Sequence, residues 1–501
     1  MNGRRLRPGP GKKISTAALR MAAALIAAAL AAGCSFGERL ARPEGDGGWS
    51  PERRQEEIAL RARPDALPGP AGPTPSSAPA IGSGTMSLAE VLELTRHNNR
   101  SIGEAQLQLE AAAARTRDVR GRLLPSATGS GRYTWYSDKQ GNQIPPALSQ
   151  GQSVSIIVRD DEAGTLNGTV VMPLDITGEL WEALSAAQAG YRGERARTWA
   201  VTLDRQVAAV RAYFHVLENL SLRRVTEQTI ALDREQLEHA DAMLESGRAT
   251  RNDKLVAQVA LSNSQQRLVQ RNVAIRRAQW MLNDIVGRAV DAPVELVDVD
   301  QRPALPSVDD SLQASHANNP VLVSLLEEQQ RLEATASSLK RSRLPRFHAG
   351  GAVDYTSSDL LQPQDIESGF VGFTWDLGTD TRREAQIAQA EADLKKSRVT
   401  LERQLREIEE AIRTTHASAA ERLSALDAAS TAVSQAEENL RIRQQQYQAG
   451  RAQSDDVLRA SSLLAQQRAI LASAIYQAHA RRAELQQLMG LPIEDLLSQW
   501  R

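Results

Sequence analysis

The chain has 501 residues, 41% of them hydrophobic and 24% charged, with a formal net charge of −1. Six cations among residues 4–20 contribute to that charge; without them the remainder stands at −7, and a mildly acidic chain without a basic block argues against nucleic acid as a partner. A single cysteine excludes an intrachain disulfide, and seven scattered histidines without a His-x-x-x-His pair give no metal-ligand spacing.

In chain order, Arg4, Arg5, Arg7, Lys12, Lys13 and Arg20 come first, then an apolar stretch from Met21 to Ala32, then Gly33-Cys34-Ser35. Basic, apolar and small residues in that order predict a secretory signal over residues 1–33. Its apolar part is shorter than the about 20 residues that span a bilayer. Ala31-Ala32-Gly33-Cys34 resembles the bacterial lipobox, with Ala31 where Leu is usual. Cys34 is therefore expected to carry a covalent lipid; a plain signal with an incidental Cys is the alternative. Ser35 beside it resembles lipoproteins sent to the outer membrane. Residues 34–86 continue as a linker rich in Pro, Gly, Ala and Arg, too poor in apolar residues to build a core. Beyond Ala32 there is no run of 18 apolar residues. Insertion into a membrane is then by β-barrel or by the lipid.

From Ser87 the chain repeats itself. Asn98-Asn99 and Leu124-Pro125 recur as Asn318-Asn319 and Leu344-Pro345, shifted by 220. Gly247-Arg248-Ala249, Asp253, Leu255 and Gly287 recur as Gly450-Arg451-Ala452, Asp456, Leu458 and Gly490, shifted by 203. This order of landmarks predicts a tandem duplication, residues 87–308 and 309–490, with a tail over 491–501. Each unit begins with a helix, Ser87 to Leu124 or Asp309 to Leu344, stopped by the proline after it. A β-hairpin follows over 126–175 or 346–377. A long helix then covers 179–246 or 382–449, about 100 Å at helical rise. A glycine ends it, and a return helix covers 250–286 or 453–489. The long helices carry a 3-4 apolar rhythm, as in Leu401, Leu405, Ile408 and Ile412. The first return helix continues it through Leu255, Val259, Ser262, Gln266, Val269, Val273 and Trp280. Spacing of this kind predicts helices packed side by side as coiled coils.

Four segments read as strands: Ala127 to Tyr136, Thr165 to Leu174, Phe347 to Tyr355 and Ser368 to Leu377. The two β regions hold 8 of the 19 aromatic residues, which suits an interfacial aromatic girdle. Four strands cannot close a barrel, and sheet edges cannot face hydrocarbon, so several chains must share one barrel. No nucleophile elbow and no phosphate-binding glycine loop occurs, so an enzyme is not expected. No cofactor is expected beyond the lipid on Cys34.

The duplicated pattern behind a lipidated Cys resembles the TolC-type outer-membrane factors, closest to the lipoprotein branch of multidrug efflux channels. Tyr447-Gln448-Ala449-Gly450-Arg451-Ala452-Gln453-Ser454-Asp455-Asp456-Val457-Leu458 is similar to the family's Tyr-x-x-Gly-x-x-x-x-x-Asp-Val-Leu, and Asn318-Asn319-Pro320 also fits. The resemblance implies a mainly α fold with a small β part. It implies a long-helix α-barrel in the periplasm under a homotrimeric 12-stranded transmembrane β-barrel, four strands per chain. It implies an outer-membrane exit duct for efflux or type I secretion, docked on a periplasmic adaptor and an inner-membrane pump. A periplasmic coiled-coil adaptor or scaffold lipoprotein is the alternative. The resemblance also implies that the helix turns at Gly247 and Gly450 gate the tunnel and meet the adaptor. Arg248 and Arg451 are candidate latch contacts or solvated surface. Asp253, Asp455 and Asp456 are candidates for a cation-favouring ring; as first-turn acids, Asp253 and Asp456 equally suit plain helix capping. Arg459 stands where many relatives carry a second acid, which puts a doubled acidic ring in question.

Overall fold

The structure, a computed structural model, describes residues 85–144, 154–159, 162–299, 302–358, 363–376 and 381–498. The expected signal, Cys34 and the linker as far as residue 84 lie outside the described residues. In chain order the elements are α1 (Leu88–Asn98), α2 (Arg100–Gly121), β1 (Ser126–Trp135), β2 (Gln140–Ile144), β3 (Val154–Arg159) and β4 (Glu162–Leu174). Then come α3 (Glu179–Glu245), α4 (Arg251–Val286), α5 (Val308–Asn318), α6 (Pro320–Arg341), β5 (Arg346–Thr356) and β6 (Asp365–Thr374). The chain ends with α7 (Thr381–Gln448), α8 (Ser454–Leu488) and a 3-10 turn, Ile493–Ser498.

Three expectations need correction. The single helices expected over 87–124 and 309–344 are each two, because Asn99 and Asn319 take extended backbone (ψ 123° and 116°) and interrupt them. The hairpin expected over 126–175 carries a further antiparallel ribbon, β2–β3, beyond β1 and β4. The residues expected as a tail include Ile493 and Leu496, which are fully buried in the main helical core. Amphipathic residues in a 3-10 turn satisfy that core without a recognisable helical period.

The chain divides into two compact units. The first takes residues 115–185 and 334–388 among those described and holds an antiparallel sheet in the order β1-β4-β5-β6. β4 pairs with β5 from Thr165↔Thr356 to Leu174↔Phe347, so the two repeats meet strand to strand. β1 and β6 are the sheet's outer strands, each paired on one side only. Both present large apolar residues: Trp135 is 72% exposed, Val371 79% and Phe373 62%. Apolar side chains this open on an unclosed sheet require a cover other than water. At the strand bases, Arg346 makes two hydrogen bonds to the Glu179 carboxylate (2.9 and 3.0 Å), and Arg341 pairs with Glu182 at 2.8 Å. Fork-to-carboxylate geometry of this kind fixes direction as well as distance.

The second unit takes residues 85–114, 186–333 and 389–498 among those described and is helical. Its main core gathers Val91 and Leu92 of α1 with Leu203, Val207, Val210, Tyr213, Phe214 and Leu217 of α3. Leu282 of α4, Tyr476 and Ala483 of α8, Ile493 and Leu496 complete it. The α3 positions fall at the 3-4 spacing that sets one helix face inward. Phe214 stacks on the His479 ring at 4.8 Å, and the Tyr213 hydroxyl donates to the Val297 carbonyl at 2.5 Å. Buried Tyr places its one polar atom on a backbone acceptor, which removes the cost of burying it. A smaller core of Leu322, Leu401, Ile408, Ile412 and Leu485 joins α6, α7 and α8. Among the described residues no helix is long and apolar enough to cross a membrane.

Candidate functional site

The two hairpin turns singled out in the sequence are built alike. α3 ends at Gly247, whose φ of 73° is the left-handed backbone that closes a helix; the Arg248 N–H donates to the Met243 carbonyl at 2.8 Å. Thr250 then caps α4. Its backbone N–H donates to the Asp253 carboxylate (2.8 Å), and its hydroxyl accepts from the Asp253 N–H (3.3 Å). At the second turn Gly450 has φ 71° and the Arg451 N–H donates to the Gln446 carbonyl at 2.8 Å. The Gln453 N–H donates to the Asp456 carboxylate at 3.0 Å. Asp253 and Asp456 are therefore engaged as helix caps, where a carboxylate satisfies an orphan N–H and meets the positive end of the helix.

One apolar cluster lies under both turns. Tyr447, Val457, Ala460 and Leu464 pack with Leu232 and Met243 of α3, and the Gln236 amide donates to the Ser454 hydroxyl at 3.0 Å. Burial pushes the Tyr447 phenol above its ordinary pKa, and the Asp253 charge adds to this. The structure thus brings the two sequence-predicted turns together within one chain. Asp455 is held apart from that role: its carboxylate pairs with Arg459 at 2.7 Å, one turn along α8. Lys254 likewise pairs with Asp241 at 2.5 Å across the first turn. Arg248 and Arg451 are both solvent-exposed. Upstream, Asp233 is buried between α3 and α4, where the Ser264 hydroxyl donates to it at 2.5 Å; burial raises its pKa against that bond and the Arg267 charge.

A second pair of sites escaped the sequence reading except as landmarks. The Asn99 amide donates to the Ile285 carbonyl (2.7 Å) in the last turn of α4, while its side-chain oxygen accepts from the Ser101 N–H (3.0 Å). Asn319 repeats this: its amide donates to the Leu488 carbonyl in the last turn of α8, and its oxygen accepts from the Val321 N–H, both at 2.9 Å. Each Asn thus caps one helix and satisfies an orphan carbonyl of another. Gly287 and Gly490, at φ 74° and 72°, end those return helices against the two Asn-Asn pairs, chiefly against Asn98 and Asn318. A β-carbon on Gly287 would lie 2.7 Å from the Asn98 carbonyl oxygen, and one on Gly490 closer still to that of Asn318. The signal was the Asn-Asn doublet and the Gly at a common spacing, but nothing in the sequence said that they touch. Nearby, Arg482 is buried, which lowers its pKa to about 10, and it donates to the Ala304 carbonyl at 2.8 Å, tying the inter-repeat connector to α8. Among the described residues no group of His, Cys, Asp and Glu is placed to hold a metal ion.

Comparison with known proteins agrees with this architecture. The chain is similar in fold to the transmembrane channel CusC (TM-score 0.70, 16% identity, covering 81% of this chain and 92% of that one). It is similar to the outer membrane protein VceC of Vibrio cholerae (0.69, 17%, 81% and 96%). It is also similar to the open state of the Neisseria gonorrhoeae outer membrane channel MtrE (0.64, 18%, 81% and 89%). No curated protein matches the chain in sequence. The family model for outer membrane efflux proteins matches residues 91–288 and 311–491, one block for each repeat. The chain belongs to the outer membrane efflux protein family.

Proposed function

We propose that this chain is one subunit of an outer-membrane exit duct, which conducts substrates passively from the periplasm outward. Family membership carries the outer membrane and efflux. The observation that supports a shared barrel is the four-stranded sheet, with two one-sided outer strands and exposed Trp135, Val371 and Phe373. Three copies supply the 12 strands of one barrel. Energy and substrate choice reside in partners, a periplasmic adaptor and an inner-membrane pump. The duct itself carries out no catalysis and takes no cofactor.

The signal is removed and Cys34 is acylated, which adds a lipid anchor to the barrel. The turns at Gly247 and Gly450 form the periplasmic gate and the adaptor contact. Arg248 and Arg451 face the adaptor there. Asp253 and Asp456 cap helices and point their remaining charge toward the constriction, while Arg459 withdraws Asp455 from it. The test is single-channel recording in a planar bilayer with the purified protein, alongside fractionation of a Cys34→Ala variant directed by a cleavable signal. A pore that stays in outer-membrane fractions without its lipid is expected. A water-soluble, non-conducting product would defeat the reading.

A further inference from the structure

We infer that a cleft at the base of the sheet holds the head group of an anionic phospholipid from the periplasm-facing leaflet, with Arg122 and Arg346 on its phosphate. The inference rests on the barrel reading above, which puts one face of the sheet against lipid.

Strand register says which face that is. Leu174, Phe347 and Phe373 stand side by side across β4, β5 and β6, and the two Phe rings lie 5.9 Å apart. Alternation puts Leu166, Val170 and Met172 of β4 and Val371 of β6 on the same face. The opposite face carries Thr165, Asn167 and Thr169 with Asp354, Thr356 and Ser368. The first face therefore meets hydrocarbon and the second the bore. The helices join the strands at Ser126, Leu174, Arg346 and Thr374, so in the barrel reading that end faces the periplasm.

A cleft of about 460 Å³ opens at that end. Leu174, Leu180 and Phe347 give it an apolar wall, and Arg122 and Arg346 bring two guanidinium groups to it. Its carboxylates are occupied. Asp175 accepts from the Trp181 N–H at 2.9 Å, and Glu179 takes two bonds from Arg346 (2.9 and 3.0 Å). Arg346 spends Nε and Nη2 on Glu179, and Arg122 spends Nη2 on Asp118 at 2.8 Å. The Nη1 side of each fork remains to donate, and planar forks of this kind suit a phosphate. Leu174 and Phe347 continue into the hydrocarbon-facing rows, so a head group seated here keeps its acyl chains in the membrane.

The surrounding charge has the matching sign. Helix C-termini favour cations in general, and the end of α6 shows how such charges are usually used. There Arg341 pairs with Glu182 and Arg343 with Glu384, within the chain. At the end of α2, Arg115, Arg117 and Arg120 are exposed and make no ion pair among the described residues. They occupy its last two turns, about 9 Å of axis at helical rise, which is about one screening length at physiological salt. Cations at that depth are drawn to anionic head groups, whereas a zwitterionic lipid gains only the apolar wall.

The test strips the full chain of lipid in detergent and offers it phosphatidylglycerol, phosphatidylcholine or inorganic phosphate. Native mass spectrometry counts the retained lipid, and light scattering checks that each variant keeps the wild-type mass. Phosphatidylglycerol is expected to stay on wild type and on Arg276→Gln, which removes an exposed cation of the helical unit. Arg122→Gln should retain about fivefold less, the worth of one cation near an anionic surface. Equal retention of phosphatidylglycerol and phosphatidylcholine, or retention unchanged in Arg122→Gln, would overturn the inference. So would displacement of the lipid by millimolar phosphate, which would make the cleft a site for free anions. A chain that stays in solution without detergent would overturn the barrel reading instead.

Discussion

Four glycines end helices with nearly the same backbone, φ between 71° and 74°, yet their surroundings are opposite. At the hairpin turns, a β-carbon added to Gly247 or Gly450 would meet nothing within 4 Å. At the junctions, one added to Gly287 or Gly490 would run into the backbone of the preceding asparagine pair. The same φ thus answers two needs. At the turns glycine relieves local strain only, whereas at the junctions it also lets two backbones touch and lets Asn99 and Asn319 reach the carbonyls of Ile285 and Leu488. The fold is pinned where the repeats close on themselves and left unobstructed where the turns are proposed to open.

Gly490→Ala is the sharpest way to break this comparison. Left-handed strain and overpacking together should cost about 2–5 kcal/mol, against about 1–2 kcal/mol for Gly450→Ala from strain alone. Thermal unfolding in detergent measures both; equal losses would mean that the junction contact adds nothing. Asn319→Ala should follow at about 1–2 kcal/mol, since it removes a cap and leaves the Leu488 carbonyl without its donor. Asn319→Asp should recover the cap but not that donor, and therefore fall between.

Asp233 tests whether the helices above the turns share the junctions' rigidity. Burial holds its carboxyl above the ordinary 3.8. In the window between 3.8 and the raised folded value, the unfolded chain binds fewer protons than the folded one, so stability falls as pH rises through it. Above the window the full cost of the buried charge remains. Asp233→Asn keeps an acceptor for the Ser264 hydroxyl, and its melting temperature should exceed wild type at neutral pH. The two should converge below the window. A variant less stable at neutral pH would show that the Arg267 charge, rather than burial, governs the site.

The sequence announces what depends on period and on stops. The two long helices of 67 and 68 residues, their glycine ends and the strands around Tyr133, Phe347 and Phe373 follow from side-chain spacing that any one segment carries alone. The breaks at Asn99 and Asn319 were hidden, because each asparagine stays within a helical rhythm and leaves it only to bond a helix end 186 or 169 residues away. The β2–β3 ribbon was hidden for a related reason: Gln140–Ile144 is polar and takes its pattern from pairing with Val154–Arg159. At the turns the acids suited two roles in sequence, ring charge or helix cap, and the fold binds Asp253 and Asp456 to backbone N–H groups as caps.

That last point sets the smallest and most discriminating effect. Asp456→Asn keeps a side-chain oxygen for the Gln453 N–H but removes the charge, so its stability should stay within about 0.5 kcal/mol of wild type. Asp456→Ala loses both and should cost about 1 kcal/mol. If the carboxylate also lines the constriction, both variants should lower the cation preference of the closed pore equally, despite their different stabilities. Arg459→Ala should move that preference the other way, because it releases Asp455 from the 2.7 Å pair without touching the cap. Selectivity that tracks stability across the three variants, or does not move at all, would reduce Asp456 to a helix cap and leave the turns open in shape alone.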